Sequence, residues 1–317
     1  MVTMFALLLA LGTKPCLPAE LGKIDPPVAI QVQAAAPSPV VPARSPAPAP
    51  APAPRPVVAR PAPQAPLAME ERAQYRINFG ILGQLGQLNL NLTPNQQGDF
   101  VQLIGQVKAS MFGIGETEKR IVSEFDTSSH GARRWTSLKV SSGKTVTDFA
   151  RQTTPGTVAL VRRRPGRPDQ PETLVRKAAV MDPLTFILRM RLAPPRAAQV
   201  YEVLDGHGLW LMTIAPATTV NTPDLGRVLR LDGRAQPVFW DGSTDEDRPT
   251  RTFTFWLSDD QFHIPLRLVM PLSVGEVRAD LVTVSRNAPL GRAVAANPSP
   301  ALRAYLDKVF QANRRPQ

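Results

Sequence analysis

Asp259, Asp260 and His263 come nearest in this sequence to a general acid–base set, two adjacent carboxylates with an imidazole three residues on. The same segment, Ser258-Asp259-Asp260-Gln261, separates two alternating apolar runs, where Asx side chains ordinarily build a turn. A turn is therefore expected there, with envelope hydrolysis as the alternative. Asp205-Gly206-His207-Gly208 has the look of a site, yet glycine on both sides of a polar residue marks a tight turn first. Asp182 stands before Pro183, which makes it a helix N-cap rather than a functional acid. Arg162, Arg163 and Arg164 with Arg167 form the dense basic cluster, in a loop closed by Pro165-Gly166 and Pro168. These four are candidates for contact with anionic lipid or glycan, against the alternative of a solvated loop. The sequence holds no Gly-x-Ser-x-Gly elbow, phosphate loop or dinucleotide fingerprint. Its one cysteine, Cys16, rules out an intramolecular disulfide, and His130, His207 and His263 show no metal-ligand spacing. No catalytic residue, cofactor or metal is expected, and the chain is read as non-enzymatic.

Positioning such residues falls to a long, proline-rich chain. Of 317 residues, 34 are proline, and sixteen of these precede residue 71. So dense a segment lacks backbone donors and cannot build a core. The folded part is therefore expected over residues 71–290, with a helix and tail at 291–317. Residues 4–11 are an apolar run too short for a spanning helix of roughly 20 residues. They suit the core of a signal peptide, although Met1-Val2-Thr3 carries no positive charge. An atypical signal and the end of a longer membrane anchor both stay open over residues 1–25, and both send the rest out of the cytoplasm. Residues 26–70 read as a disordered Pro/Ala spacer, in polyproline II form where the two residues alternate. At ~3.1 Å per residue, positions 26–66 would reach on the order of 130 Å. Net charge is +11, and only +2 of it comes from the five basic and three acidic residues before position 71. The rest belongs to the folded surface and suits an anionic partner. Export disfavours nucleic acid.

From Tyr75 the pattern has period two, with further β-like runs at 100–107, 119–125, 134–140, 145–149, 157–163, 199–204, 209–214, 227–231 and 236–240. The clearest block is a three-strand antiparallel meander over 251–257, 264–272 and 277–284. It places Phe253 and Phe255 on one face of its first strand and Leu266 and Leu268 on one side of its second. Pro265 and Pro271 put that middle strand at an edge or a bulge. After Asp182-Pro183, residues Leu184, Phe186, Ile187, Leu188 and Met190 leave only Arg189 and Arg191 charged, the composition of a buried helix. A second helix, from Ser299-Pro300, carries a stripe of Leu302, Tyr305, Leu306, Val309 and Phe310. The fold expected is mainly β: a large curved antiparallel sheet or open barrel packed on one short buried helix, plus a C-terminal amphipathic helix.

Several motifs resemble one bacterial family, the domain of unknown function 3108. They are Tyr75-Arg-Ile-Asn-Phe-Gly80 leading to Leu88-Asn-Leu90, Met181-Asp182-Pro183-Leu184-Thr185 with Leu188-Arg189, and Val203-Leu204-Asp205-Gly206. The most specific are Phe255-Trp256-Leu257-Ser258-Asp259-Asp260 with Ile264-Pro265, and Gly275-Glu276-Val277-Arg278-Ala279-Asp280-Leu281. Thr185 departs from the usual serine, and the glycine expected after Leu-Arg is absent from Met190-Arg191-Leu192-Ala193-Pro194. The resemblance implies a β-rich envelope protein and brings no catalytic residues.

Two non-enzymatic functions follow from location and architecture. One is an exported domain, in the periplasm or envelope, binding an apolar or amphiphilic ligand in a groove between sheet and helix. Its lining candidates are Leu184, Ile187, Leu188, Phe253, Phe255, Leu266 and Leu268. The other is an envelope scaffold or assembly protein held off the membrane by the spacer. A monomer is expected, with a possible membrane tether at the N-terminus.

Overall fold

The computed structural model describes residues 67, 69–95, 98–111, 115–141, 143–206, 208–272 and 275–287. The apolar run at 4–11, the spacer, His207 and the helix expected from Ser299 lie outside the described residues.

Eight strands form a meander: β1 (Glu70–Phe79), β2 (Gly83–Pro94), β3 (Phe100–Met111), β4 (Gly115–Asp126), β5 (Gly131–Ser141), β6 (Lys144–Thr154), β7 (Thr157–Arg163) and β8 (Gln170–Val175). Each pairs with the next antiparallel. The short β9 (Val180–Met181) leads into helix α1 (Pro183–Leu192). The remaining strands are β10 (Gln199–Asp205), β11 (Gly208–Ile214), β12 (Thr218–Thr222), β13 (Gly226–Val238), β14 (Arg251–Ser258), β15 (Pro265–Leu272) and β16 (Gly275–Asn287). β16 returns to pair with β1 in antiparallel register. All sixteen strands thus belong to one sheet, which runs from β8 at one end to β9 at the other and is not closed between them. Among the described residues only the β9–β10 pairing is parallel.

Alternation along each strand gives the sheet one apolar face. Ile121, Ser123 and Phe125 of β4, Tyr75 and Ile77 of β1, Phe253 and Phe255 of β14, and Leu266 and Leu268 of β15 are all buried. α1 reaches strands far apart in this order. Ser123 of β4 bonds Asp182, Arg191 pairs with Glu71 of β1, and the Phe186 ring meets Tyr201 of β10 and Phe255 of β14. One helix can touch all four only if the sheet curls around it. The expected mainly β architecture, a large open antiparallel sheet on a buried helix, is therefore the one observed.

Asp182 caps α1 through Leu184 N and Thr185 N at 2.8 and 3.2 Å, while its other oxygen accepts from Ser123 Oγ and Thr185 Oγ1, each at 2.6 Å. All of α1 except Arg189 is buried. In place of the missing glycine, Ala193 ends the helix with an extended φ of −145°, as the following Pro194 requires, and its N–H still reaches Arg189 O.

The local pattern splits one strand in two, leaves two options at β15 and misses two short strands. The separate runs at 227–231 and 236–240 are parts of one strand, β13, continuous across Gly233. A Cβ there would lie 2.2 Å from the Phe253 ring, so the glycine serves close packing and not a turn. β15 lies in the sheet interior, and its Pro265 is accommodated by a register shift opposite Trp256 and Leu257: of the two options, the bulge is realised. β8 and β12 carry too few apolar residues to show an alternating signal; β8 survives as an edge strand with Pro171 in it.

Candidate functional site

The domain carries a cleft of about 920 Å³. Its walls come from the start of β3, the end of β4, the start of β5, the end of β6, the β9 segment and Arg189 of α1. Phe100, Ala132, Val180 and Met181 give it apolar lining, and Arg133, Arg134, Arg151 and Arg189 give it positive charge, against Asp99 and Glu124. The charge is concentrated by a local irregularity. The register between β4 and β5 shifts after Glu124, which pairs with Arg134 while Phe125 pairs with Ala132. Arg133 is the extra residue, and two successive arginines end up exposed at the rim.

The four guanidinium groups differ in how far they are already neutralised. Arg134 Nη2 donates to Glu124 Oε1 at 2.5 Å. Arg133 stands 3.6 Å from Asp99 and 3.7 Å from Asp126, with its guanidinium 5.9 Å from the Phe100 ring centre. Arg189 Nη1 donates to the His130 backbone carbonyl at 3.2 Å and lies 5.8 Å from the Tyr201 ring centre. Burial raises the Tyr201 hydroxyl pKa, and Arg189 beside it opposes that shift. Among the described residues neither Arg151 nor Arg189 has a carboxylate partner.

The residues singled out in the sequence fall elsewhere. Leu184, Ile187, Leu188, Phe253, Phe255, Leu266 and Leu268 all sit in the packed core, at most 6% exposed, and none lines the cleft. They belong to the hydrophobic core of the sheet and helix. Arg162 holds Asp148 with Nε and Nη2 at 2.6 and 3.2 Å. Arg163 holds Asp169 at 3.1 and 2.8 Å and covers the Phe149 ring. Arg164 and Arg167 are joined by a backbone turn bond of 3.2 Å and have no ion pair among the described residues. Asp259 pairs with Arg227, while Asp260 Oδ1 accepts from Ser258 Oγ, Phe262 N and His263 N, as an Asx turn does. His263, at a φ of +42°, bonds the Arg191 carbonyl through Nδ1 at 2.7 Å. The three potential acid–base groups are thus each engaged in holding a turn and its neighbours. Among the described residues no cluster of His, Cys, Asp or Glu is placed to hold a metal ion.

Asp205 does acquire a role. It pairs with Lys119 across the interior, tying the β10–β11 turn to β4. Next to it Lys139 is shifted down by burial and by Lys119, with Asp205 opposing. Gly206 packs so closely on the Asp148 carboxylate that a Cβ would lie 2.9 Å from Oδ2, and its φ of +62° suits glycine. The turn signal in Asp205-Gly206 was a true one, and its purpose is to dock on the Lys119, Asp148 and Arg162 side chains.

The profile of the family described as "Protein of unknown function (DUF3108)" matches residues 74–282. The chain belongs to that family. The match begins within β1 and ends within β16, so the DUF3108 region takes in the helix, the cleft and the whole sheet path between them. No curated protein matches the sequence. Among solved structures it is similar to a beta-barrel-like protein of domain of unknown function DUF1849 from Brucella abortus, at 12% identity and a TM-score of 0.47, covering 69% of this chain and 98% of that one. Sequence reading missed the cleft arginines because they are scattered over β5, β6 and α1. The one available signal was the pair of charges, Arg189 and Arg191, on an otherwise apolar helix.

Proposed function

We propose that this DUF3108 protein is an exported envelope domain that binds an amphiphile without catalysing a reaction. The observation that carries this reading is the cleft itself, which at about 920 Å³ falls within the range of small-molecule sites. Its lining combines Phe100, Val180 and Met181 with cationic side chains, so an aliphatic tail and a polar head would both find matching surface. Export rests on the apolar run at 4–11, and the spacer that follows would let the domain work at a distance from a membrane. The turn roles of Asp259, Asp260 and His263 support a binding function over hydrolysis.

Displacement of a fluorescent fatty-acid analogue from the purified full chain tests the reading, with native mass spectrometry to give stoichiometry. One bound amphiphile per chain is expected. Failure of single-chain amphiphiles of every headgroup to bind, with no co-purified ligand, would remove it.

A further inference from the structure

We propose that the cleft selects an anionic headgroup, a phosphate or carboxylate, and that Arg151 and Arg189 hold it. This rests on the amphiphile reading above. Three adjacent strands place Glu124, Arg134 and Arg151 directly opposite one another in register. The row thus holds one carboxylate and two guanidinium groups, and Glu124 is bonded to Arg134. Arg151 is left facing a like charge across the β5–β6 ladder, an arrangement that costs stability unless an anion lies nearby. From the opposite wall Arg189 enters the same cleft. Its guanidinium is oriented by neutral groups only, the His130 carbonyl and the Tyr201 ring. Two guanidinium groups without a carboxylate partner among the described residues, Arg189 oriented and Arg151 exposed, beside apolar lining fit a carboxylate or phosphate at the head of an aliphatic chain.

The experiment is calorimetric titration of the full chain, at fixed salt and below micelle formation, with dodecyl phosphate, dodecyl maltoside and inorganic phosphate. Dodecyl phosphate is expected to bind roughly tenfold or more tightly than the maltoside, the scale of a charge-assisted contact. Arg151→Gln and Arg189→Gln should each remove most of that difference and leave maltoside affinity unchanged. Arg151 is exposed on a strand, so its variant carries the test even if the helix variant folds poorly. A double variant in the basic loop, Arg164→Gln with Arg167→Gln, removes twice the charge of either single variant elsewhere and should change nothing. Equal wild-type affinity for the two amphiphiles would overturn headgroup selection and leave the amphiphile reading standing. Equal affinity for inorganic and dodecyl phosphate would keep the arginine pair and overturn the amphiphile reading. An equal loss in the loop variant would overturn the assignment to Arg151 and Arg189, and no binding by any probe would overturn both readings.

Discussion

Arg189 and Arg191 lie two positions apart on one helix and meet opposite surroundings. At about 100° per residue they point roughly 200° apart. Arg191 turns into the sheet, where Nη1 and Nη2 hold the two oxygens of Glu71 at 2.8 Å and Arg286 holds Oε2 at 3.0 Å. Arg189 turns to the rim, where its partners are a backbone carbonyl and an aromatic ring. The contrast separates arginines that hold the fold from arginines left available to a ligand. Charge density in the sequence does not make that distinction. The run Arg162-Arg163-Arg164 is the densest, yet Asp148 and Asp169 already neutralise its first two members.

The largest effect expected is at the buried end. Arg191→Ala should destabilise the protein by about 3 kcal/mol in denaturant unfolding, near the low end for breaking a buried pair because Arg286 remains on Glu71. A loss comparable to that of Arg189→Ala would abolish the contrast. Next comes the helix cap. Asp182→Ala removes the acceptor of two backbone N–H groups and two hydroxyls, and about 2 kcal/mol should be lost.

Acid unfolding sharpens the comparison of the two buried carboxyls. Burial raises the Asp182 pKa, with Ser123, Thr185 and the Leu184 backbone N–H opposing. For Glu71 burial acts in the same upward direction, but Arg191 and Arg286 overcome it and hold the pKa below the ordinary 4.5. Glu71 therefore adds stability that is present above 4.5 and disappears as pH falls through its folded value. Asp182 works the other way: its folded state favours the proton, and a penalty builds as pH rises from the ordinary 3.8 to the folded value. Relative to Asp182→Asn, the wild type should lose stability as pH rises through that window. Relative to Glu71→Gln, it should lose stability as pH falls below 4.5. Unfolding midpoints across a pH series check both signs.

Smaller effects belong to the rim. Arg151→Gln should change stability by no more than about 0.5 kcal/mol, since an exposed side chain without an ion-pair partner holds nothing in place. Arg163→Gln, at the exposed Asp169 pair, should leave the unfolding midpoint where it is and leave amphiphile binding intact.

Legibility followed the range of the interactions. α1 could be placed from Asp182-Pro183 and the apolar run because cap and first turn are neighbours in sequence. The closing meander of β14, β15 and β16 was legible for the same reason, with Asp260 setting the turn that follows β14. β8 and β12 were not, as strands at the ends of pairing networks bury little and keep no alternation. Gly233 looked like a break because the ring that occupies its missing side-chain volume, Phe253, comes from the neighbouring strand.

By itself the sequence determined that strands dominate, that one buried helix interrupts them, and that Asp259, Asp260 and His263 lie at a turn. Each of these depends on contacts within a few residues or on composition. Tertiary structure alone decided that the sheet stays open between β8 and β9, and that the predicted groove residues are core. It also decided which arginines are spent and which are left. That last choice depends on carboxylates far away in sequence, Glu71 lying 120 positions from Arg191 and 215 from Arg286, and no local pattern can record partners that distant.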